Sequence, residues 1–446
     1  MARDMTKGSE GKHILAFALP IMGGLVLQQL YNTVDSVVVG QKLGEAALSA
    51  VGTCSALTMF TVSFATGLCN GSGVVYAQYF GAKKLGELRK ALSTGFCLLT
   101  VLGIIITVLG IALTRPLLSA LAVPAEIMDM AAAYFKIYCI GLAFQFIYNV
   151  SAAALRSVGD SQATLLFLLI SSILNIVLDL VFVICFKWGV AGTAIATVIS
   201  QFVCALVSLI YMWKRYDFFR YQKGEFRFER FYCGQILKVG VPTMIQMCVV
   251  SSGNVLIQRV VNSLGTGAIA AATAAGRIEN YMFIPCQGMN NGISTFSGQN
   301  VGAGLYDRVR SGRKQARIIL LPISIALSVI LWFCASPLIR LFGVNGDALQ
   351  LGISHLRFIA PFFLLFALYM SNAGLLTGTG DVLATAIITL SCLLIKVVAT
   401  YVFCYSFDMG FAAIYYATPT GWAWGFVVSF LRYRSGKWQN KSLVKK

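Results

Sequence analysis

Charged residues are scarce in this 446-residue sequence, since only 12% are Asp, Glu, Lys or Arg, against about a quarter in an average soluble domain. Four stretches, 91–114, 188–213, 318–339 and 409–431, contain none of them. Hydrophobic residues make up 58% of the chain. This balance argues against a soluble globular protein and favours a chain that spans a membrane.

Histidine and paired cysteine are also lacking. The two histidines, His13 and His355, are too few and too far apart for a metal cluster. The twelve cysteines are scattered, with no Cys-x-x-Cys pair, which is typical of small buried apolar residues. Because no nucleophile–base constellation is evident either, we predict that the chain is not an enzyme and carries no cofactor or metal.

Each long apolar run is predicted to be a membrane-spanning helix. A helix needs about 20 apolar residues to cross a bilayer of roughly 30 Å, and its backbone groups cannot go unpaired in lipid. The predicted spans are 14–40, 46–80, 91–114, 130–156, 161–186, 188–213, 235–262, 266–301, 313–336, 350–376, 382–407 and 409–432. The sequence therefore predicts an all-α integral membrane fold with twelve transmembrane helices.

The two halves of the sequence repeat each other with a constant offset of 221 residues. Gln78-Tyr79-Phe80-Gly81-Ala82 returns as Gln299-Asn300-Val301-Gly302-Ala303, and Gly159-Asp160 returns as Gly380-Asp381. Each half has six predicted spans, and an even number of crossings brings the chain back to its starting side. The pattern predicts two pseudo-symmetric six-helix bundles of the same orientation, an architecture typical of transporters.

Basic residues are distributed unevenly between the predicted loops. The net charge is +18, and Lys and Arg concentrate at the N-terminus, in 83–90, 214–230 and 308–317, and from 432 onward. The alternate loops carry Lys42, Arg115, Lys187 and Arg340. Because cytoplasmic loops hold the excess of Lys and Arg, both termini are predicted to be cytoplasmic. The basic charge therefore indicates topology, and no nucleic-acid partner is expected.

The predicted domain layout follows from the spans and the charge. It consists of an N-terminal six-helix bundle with a cation site (1–213), a cytoplasmic basic linker (214–234), a C-terminal six-helix bundle (235–432) and a basic cytoplasmic tail (433–446). The linker combines Tyr and Phe with Arg and Lys, so we expect it to lie along the membrane lipid surface.

Polar side chains form stripes on three predicted helices of the first half. They are Gln28, Asn32 and Asp35 on the first span, Asn175 and Asp179 on the fifth, and Thr193, Thr197 and Gln201 on the sixth. Residues at i, i+4 and i+7 share one helix face, and charges within spans mark functional sites by default. Such oxygen ligands suit Na⁺, while two nearby carboxylates can instead hold a proton. We therefore predict a site for Na⁺ or H⁺ in the first bundle, formed by Asp35, Asn175, Asp179 and Thr197. The remaining stripe residues, Gln28, Asn32, Thr193 and Gln201, are predicted to line the cavity.

Pro20 lies on the helix that carries Asp35. Proline removes a backbone hydrogen bond and bends a helix, so Pro20 is either a static kink or a hinge. Pro242 is the counterpart of Pro20 in the second half if the offset is increased by one residue at this place.

The second half does not repeat the polar site. At the offset of 221 residues, Asn175 becomes Lys396 and Asp179 becomes Thr400. Arg277 and Glu279 lie close together on the eighth span, where an internal pair between them is expected. The polar candidates of the second bundle are thus Arg277, Glu279 and Lys396, and the sequence favours a structural tie over ion binding for them.

Four motifs carry a family resemblance. They are Leu30-Tyr31-Asn32-Thr33-Val34-Asp35 followed by Gly40, Gln78-Tyr79-Phe80-Gly81-Ala82, Leu155-Arg156-Ser157-Val158-Gly159-Asp160, and Tyr433-Arg434-Ser435-Gly436-Lys437-Trp438. Together they resemble the multidrug and toxic compound extrusion (MATE) family, and most closely its bacterial DNA-damage-inducible-F branch, from about His13 to Trp438. The resemblance implies a V-shaped pair of six-helix bundles that exports drug-like molecules, often cationic, in exchange for H⁺ or Na⁺.

The resemblance also implies roles for individual residues. It places a cation site on Asp35, Asn149, Asn175, Asp179 and Thr197, and it links the proline at position 20 to bending of the first helix. It further implies a location in the bacterial cytoplasmic membrane. We expect a monomer whose partners are drug-like small molecules and membrane lipid.

Some alternatives stay open at this point. The coupling ion, H⁺ or Na⁺, and the substrate are not identified by the sequence. A flippase for a lipid-linked precursor shares this architecture within the wider superfamily, and it would need a strongly cationic central cavity. A major facilitator transporter is disfavoured, because its usual Gly-rich Asp/Arg loop motif is not convincing at 81–91. A channel is disfavoured by the absence of pore-lining charge rings.

Overall fold

The computed structural model describes residues 3–43, 45–121, 123–221 and 225–444, without the side chains at 32, 34–42, 45, 46, 48 and 56. Within these ranges the chain is helical and contains no strand. The first half comprises α1 (Glu10–Leu43), α2 (Glu45–Gly81), α3 (Leu85–Ala112), α4 (Thr114–Ala120), α5 (Ala125–Ser157), α6 (Ser161–Leu180) and α7 (Gly189–Arg215). The second half comprises α8 (Arg230–Ser263), α9 (Thr266–Gly302), α10 (Tyr306–Arg340), α11 (Gly346–Ile359), α12 (Phe363–Gly378), α13 (Val382–Tyr401) and α14 (Ala412–Arg434).

The long helices correspond to the predicted membrane spans. Ten helical segments among the described residues are long and apolar enough to cross a membrane. The other two predicted spans, α9 and α14, are not among these ten, yet they are the repeat counterparts of α2 and α7, which qualify. The predicted all-α membrane fold is therefore confirmed.

The structure interrupts one predicted span and adds one short helix. The span predicted at 350–376 is divided into α11 and α12 by a tight 3₁₀ turn, Ala360–Phe362, which contains Pro361. Proline cannot donate the backbone hydrogen bond that a continuous helix needs, which explains the interruption. The short helix α4 follows α3 directly and lies outside the predicted spans.

The sequence repeat recurs in the helix bounds. α2 and α9 begin at Glu45 and Thr266, and α6 and α13 begin at Ser161 and Val382, each pair at the predicted offset. Both α6 and α13 continue into a widened π turn, Val181–Cys185 and Val402–Ser406. The two halves of the chain thus share one backbone plan.

Apolar side chains cover the outer face of the helices. On α3, for example, Val101, Ile104, Ile105, Val108 and Leu109 are all exposed. A contiguous apolar surface of this kind is costly in water and favourable against lipid chains. The chain is accordingly a multi-pass membrane protein.

The helices assemble into two compact units that divide within α1 and α8. Unit 1 comprises Met1–Asp4 and Gly23–Met244, and unit 2 comprises Met5–Met22 and Ile245–Lys446. Each division falls two residues after a proline, Pro20 or Pro242. The sequence predicted the boundary between the two bundles in the linker, 214–234. The prediction that each helix belongs as a whole to one bundle is not tested by this division and stays a prediction.

Each unit uses a buried aspartate to tie two helices together. Asp160, at the start of α6, accepts from the hydroxyls of Tyr211 at 2.9 Å and Tyr216 at 2.6 Å. Burial and the hydrogen bond to Asp160 raise the pKa of Tyr216, so its hydroxyl stays protonated and donates. Asp381, at the start of α13, accepts from the Arg432 guanidinium at 2.7 and 2.9 Å. Tyr211 and Arg432 are repeat counterparts, so the same tie is made with different chemistry.

Close backbone contact in unit 1 depends on glycine. A Cβ atom placed on Gly71 of α2 would lie 2.3 Å from the Cα atom of Gly240 on α8. Small residues permit this approach between membrane helices, and backbone atoms cannot move aside as a side chain can. Gly71 is therefore required for the packing of α2 against α8.

We predict that Gly71→Ala lowers the free energy of unfolding by about 1–3 kcal/mol, because the added methyl group overlaps the backbone of α8. Thermal unfolding of the purified protein in detergent measures this change. Gly52→Ala is the matched control on the same helix, since a Cβ atom there meets no atom within 4 Å. Equal unfolding temperatures for the two variants would show that the contact is dispensable.

Candidate cation site

Two buried polar residues of α6 face two threonines of α7. Asn175 and Asp179 are four residues apart on α6, and each is 2% exposed. Thr193 and Thr197 have the same spacing on α7, where Thr193 is also buried. Residues at i and i+4 share one face of a helix. The structure therefore brings together Asn175, Asp179 and Thr197 of the predicted cation site, and Thr193, predicted to line the cavity, lies on the same face of α7 as Thr197.

Hydrogen bonds connect the two helices at this point. The Asn175 amide nitrogen donates to Asp179 Oδ2 at 3.0 Å, and the amide oxygen accepts from the backbone N–H of Thr197 at 3.3 Å. Thr197 Oγ1 donates to the Thr193 carbonyl at 3.0 Å. Asn175 thus positions the Asp179 carboxylate with a neutral donor.

The chemistry of this cluster suits a small hard cation or a proton. Carboxylate, amide and hydroxyl oxygens are ligands that Na⁺ prefers over sulfur or nitrogen. An ionised carboxylate is costly to remove from water unless it is paired, hydrogen-bonded or protonated. A change in the charge of Asp179, by protonation or by a bound cation, would therefore have a large effect on the energy of its surroundings.

In the described part of the chain, the structure does not connect the other residues predicted for the site to this cluster. The side chains of Asp35 and Asn32 lie outside the described residues, so their roles stay predictions. Gln28 of α1 is exposed. Asn149 of α5 is half-buried, and its amide donates to the Gln145 carbonyl of its own helix at 2.9 Å. The membership of Asn149 in the cation site also stays a prediction.

Two glutamine oxygens are buried where α5 contacts α7. Gln201 Oε1 lies so close to α5 that a Cβ atom on Gly141 would come within 2.3 Å of it. Neither Gln201 Oε1 nor Gln145 Oε1 has a hydrogen-bond partner in the described part of the chain. A buried acceptor without a donor is unusual and available to a ligand. Gln145 was missed from the sequence, although its spacing of four residues from Asn149 puts both on one helix face.

The polar candidates of the second unit pair differently from the expectation. Glu279 of α9 contacts His355 of α11, with 2.6 Å between Oε1 and Nε2, whereas Arg277 is exposed. Residues two apart on a helix point to different faces, which is why Arg277 and Glu279 do not form the expected pair. Lys396 of α13 lies within electrostatic reach of Glu279.

Comparisons with known proteins agree with this architecture. The family profile described as MatE matches residues 20–181 and 242–402, one segment in each half. The chain is 29% identical to the probable multidrug resistance protein YpnP of Bacillus subtilis, over 99% of both proteins. It is 26% identical to the probable multidrug resistance protein NorM of Thermotoga maritima, over 97% of this chain and 94% of that protein.

A solved structure shares the fold over nearly the whole length. It is described as the outward-facing conformation of a multidrug resistance MATE family transporter of the MOP superfamily. The TM-score is 0.92 at 25% identity, with 98% of this chain and 99% of that chain covered. The fold defines a multi-pass helical membrane protein built from two repeats. With both repeats matched by the profile, the chain belongs to the MatE family.

We predict that the bound coupling ion stabilises the protein through Asp179. At a concentration of about 100 Kd, an ion that binds only the folded state adds about 2.7 kcal/mol. Asp179→Asn keeps the shape but loses the charge, so this ion-dependent stabilisation should disappear. Thermal unfolding across a series of Na⁺ concentrations and pH values measures it. Thr400→Val, at the repeat counterpart of Asp179, is the control that should keep it, and loss in both variants would contradict the assignment.

Proposed function

We propose that the chain is a secondary active multidrug efflux antiporter, which exports drug-like and often cationic compounds in exchange for H⁺ or Na⁺ by alternating access. The observation that carries this proposal is the buried Asp179 carboxylate inside a membrane-spanning helix, hydrogen-bonded to the Asn175 amide. The names of the relatives as multidrug resistance proteins support the substrate class.

Exchange follows if the drug and the coupling ion compete for the same charge. A cationic drug and an ion that neutralises Asp179 both gain from the carboxylate, so each lowers the affinity of the other. The acceptor oxygens of Gln145 and Gln201 add places where the donors of a protonated amine bind. Binding of the coupling ion then favours release of the drug on the side where the ion is abundant.

The position of Pro20 supports a hinge in α1. This helix passes from unit 2 to unit 1 directly after Met22, two residues beyond the proline. A missing backbone hydrogen bond lowers the cost of bending at that place. We propose that neutralisation of Asp35 lets α1 bend near Pro20, which narrows the binding space of unit 1 and expels the drug.

The proposed location is the bacterial cytoplasmic membrane, with both termini in the cytoplasm. The concentration of Lys and Arg in alternate loops supports this orientation. The protein acts in this proposal as a monomer, with membrane lipid and drug-like molecules as its partners.

Transport into everted membrane vesicles tests the proposed activity. Drug accumulation is measured while a pH gradient and a Na⁺ gradient are imposed separately. We expect accumulation with at least one gradient in the unmodified chain, and background accumulation in Asp179→Asn at equal expression. Accumulation that is independent of both gradients, or undiminished in Asp179→Asn, would contradict ion-coupled antiport at this site.

Pro20→Ala should slow transport more than it weakens drug binding, because the restored backbone hydrogen bond stiffens α1. The initial transport rate and the equilibrium drug Kd, measured on the same preparation, separate these effects. Pro322→Ala is the control, since Pro322 lies inside α10, which belongs wholly to unit 2. An unchanged rate in Pro20→Ala would make Pro20 a static kink.

A further inference from the structure

Three ionisable side chains from three different helices lie together inside unit 2. Glu279 comes from α9, His355 from α11 and Lys396 from α13. The side chains of His355 and Glu279 are 6% and 16% exposed, and 2.6 Å separates their closest atoms. Lys396 is half-buried and acts on Glu279 electrostatically. The proposed antiport at Asp179 uses none of these residues.

The three residues lie deep within the helices that carry them. Counted at 1.5 Å per residue, His355 is roughly 14 Å from the start of α11 and Glu279 roughly 20 Å from the start of α9. Lys396 is roughly 15 Å from the end of the π turn that follows α13. The start of α9, the start of α11 and the end of the π turn after α13 lie on the same side of the membrane, because successive spans cross it in alternating directions. The cluster is thus near the middle of a bilayer of roughly 30 Å, where ionisable residues are rare and mark function.

The surroundings of His355 contain few other ionisable groups. The elements packed most extensively on α11 are α9, α10, α14 and the turn at 360–362, and Leu351 of α11 packs against the same apolar cluster as Val397 of α13. α14 presents Tyr415, whose ring centroid is 5.6 Å from the imidazole, and α10 presents the apolar Ile339 to Gly352 of α11. Arg357 is exposed and donates to the Trp332 carbonyl. Glu279 is therefore the charged side chain in contact with His355, and Lys396 acts on Glu279 in turn.

The two ring nitrogens of His355 have different environments. Nε2 faces the Glu279 carboxylate, so an N–H on Nε2 donates to it. Nδ1 is buried without a hydrogen-bond partner in the described part of the chain, beside the rings of Phe411 and Tyr415. A neutral imidazole fits this arrangement. A second proton would place an N–H on Nδ1 with nothing to accept from it, which a buried group does not tolerate without rearrangement.

We propose that His355 and Glu279, close to Lys396, form a proton-binding site in unit 2 whose occupation displaces α11. One H⁺ from water adds to Nδ1 and converts the neutral imidazole to imidazolium, while Nε2–H keeps its bond to the carboxylate. The cluster then changes from zero net charge, with Glu⁻, neutral His and Lys⁺, to one positive charge. Nδ1–H gains an acceptor only when the ring or its helix moves.

α11 is built to make such a movement. It ends at the 3₁₀ turn Ala360–Phe362, within two turns of His355, where Pro361 interrupts the span. A short 3₁₀ stretch inside a span is a frequent hinge, and the interruption separates α11 from α12. Lys396 is also the repeat counterpart of Asn175 in the cation cluster of unit 1. Both repeats therefore place ionisable or ion-binding groups at the same backbone position.

Histidine NMR tests the site without reference to transport. The chain contains two histidines, so ¹⁵N-histidine labelling of the His13→Gln variant reports His355 alone. The purified protein in lipid nanodiscs is titrated through the range in which histidine normally changes charge, about pH 5 to 8. We expect a reversible change of the ring nitrogens from neutral imidazole to imidazolium. A ring that stays in one state across the range would overturn the proposal.

Variants of the neighbouring charges sharpen the result. In the His13→Gln background, Glu279→Gln should move the midpoint to lower pH by about one pH unit or more, since the carboxylate attracts the proton. Lys396→Gln should move it to higher pH, because an ammonium group repels the proton. Arg277→Gln, an exposed neighbour on α9, is the matched control and should leave the midpoint unchanged. A midpoint that does not respond to Glu279→Gln or Lys396→Gln would overturn the assignment of the site.

Hydrogen exchange tests the displacement of α11. At a pH below the midpoint, the amides of 346–359 should exchange faster in the His13→Gln protein than in the same protein with His355→Gln, which cannot take up the proton. Above the midpoint the two should exchange alike. Equal exchange at both pH values would show a site that binds a proton without moving the helix, contrary to the proposal.

Discussion

An ionised side chain inside a bilayer has no water around it, and this cost determines where the chain places its charge. In unit 1, the Asp179 carboxylate is buried beside the Asn175 amide and the threonines of α7. In unit 2, the Glu279 carboxylate is held by His355 with Lys396 nearby. Elsewhere the apolar faces meet lipid, and most charge lies in the loops. Because charges within the spans are few and costly, each one has a large influence on which arrangement of the helices is stable.

The repeat explains how one backbone carries two different sets of chemistry. Helix bounds, π turns and the buried aspartates Asp160 and Asp381 recur at the offset of 221 residues, so the packing plan is duplicated. Side chains on that plan have diverged. Tyr211, which bonds Asp160, corresponds to Arg432, which bonds Asp381, and Asn175 of the polar cluster corresponds to Lys396. The proposed cation site of unit 1 and the proposed proton site of unit 2 therefore share one backbone position of the repeat, occupied by Asn175 and Lys396.

Hydropathy and the repeat predicted most of the fold, because both are patterns that can be read from the order of residues along the chain. The span predicted at 161–186 is found as α6 with its π turn, ending at Cys185. The interruption at Pro361 was missed, since the apolar run continues across it. Asn175 and Asp179, like Thr193 and Thr197, were predicted from helical spacing to share one face of their helix, and tertiary packing brings Asn175 to Thr197. Spacing could not find the Glu279–His355 pair, because the two residues belong to separate helices and meet only through tertiary packing.

The proposed exchange depends on competition between the drug and the coupling ion for the charge of Asp179. Equilibrium binding of a fluorescent cationic drug to the purified protein, at a series of pH values and Na⁺ concentrations, measures this competition directly. We expect the drug Kd to rise as the concentration of the coupling ion is raised, and the Kd of Asp179→Asn not to respond to the ion. A Kd that responds to the ion equally in both proteins would contradict the account.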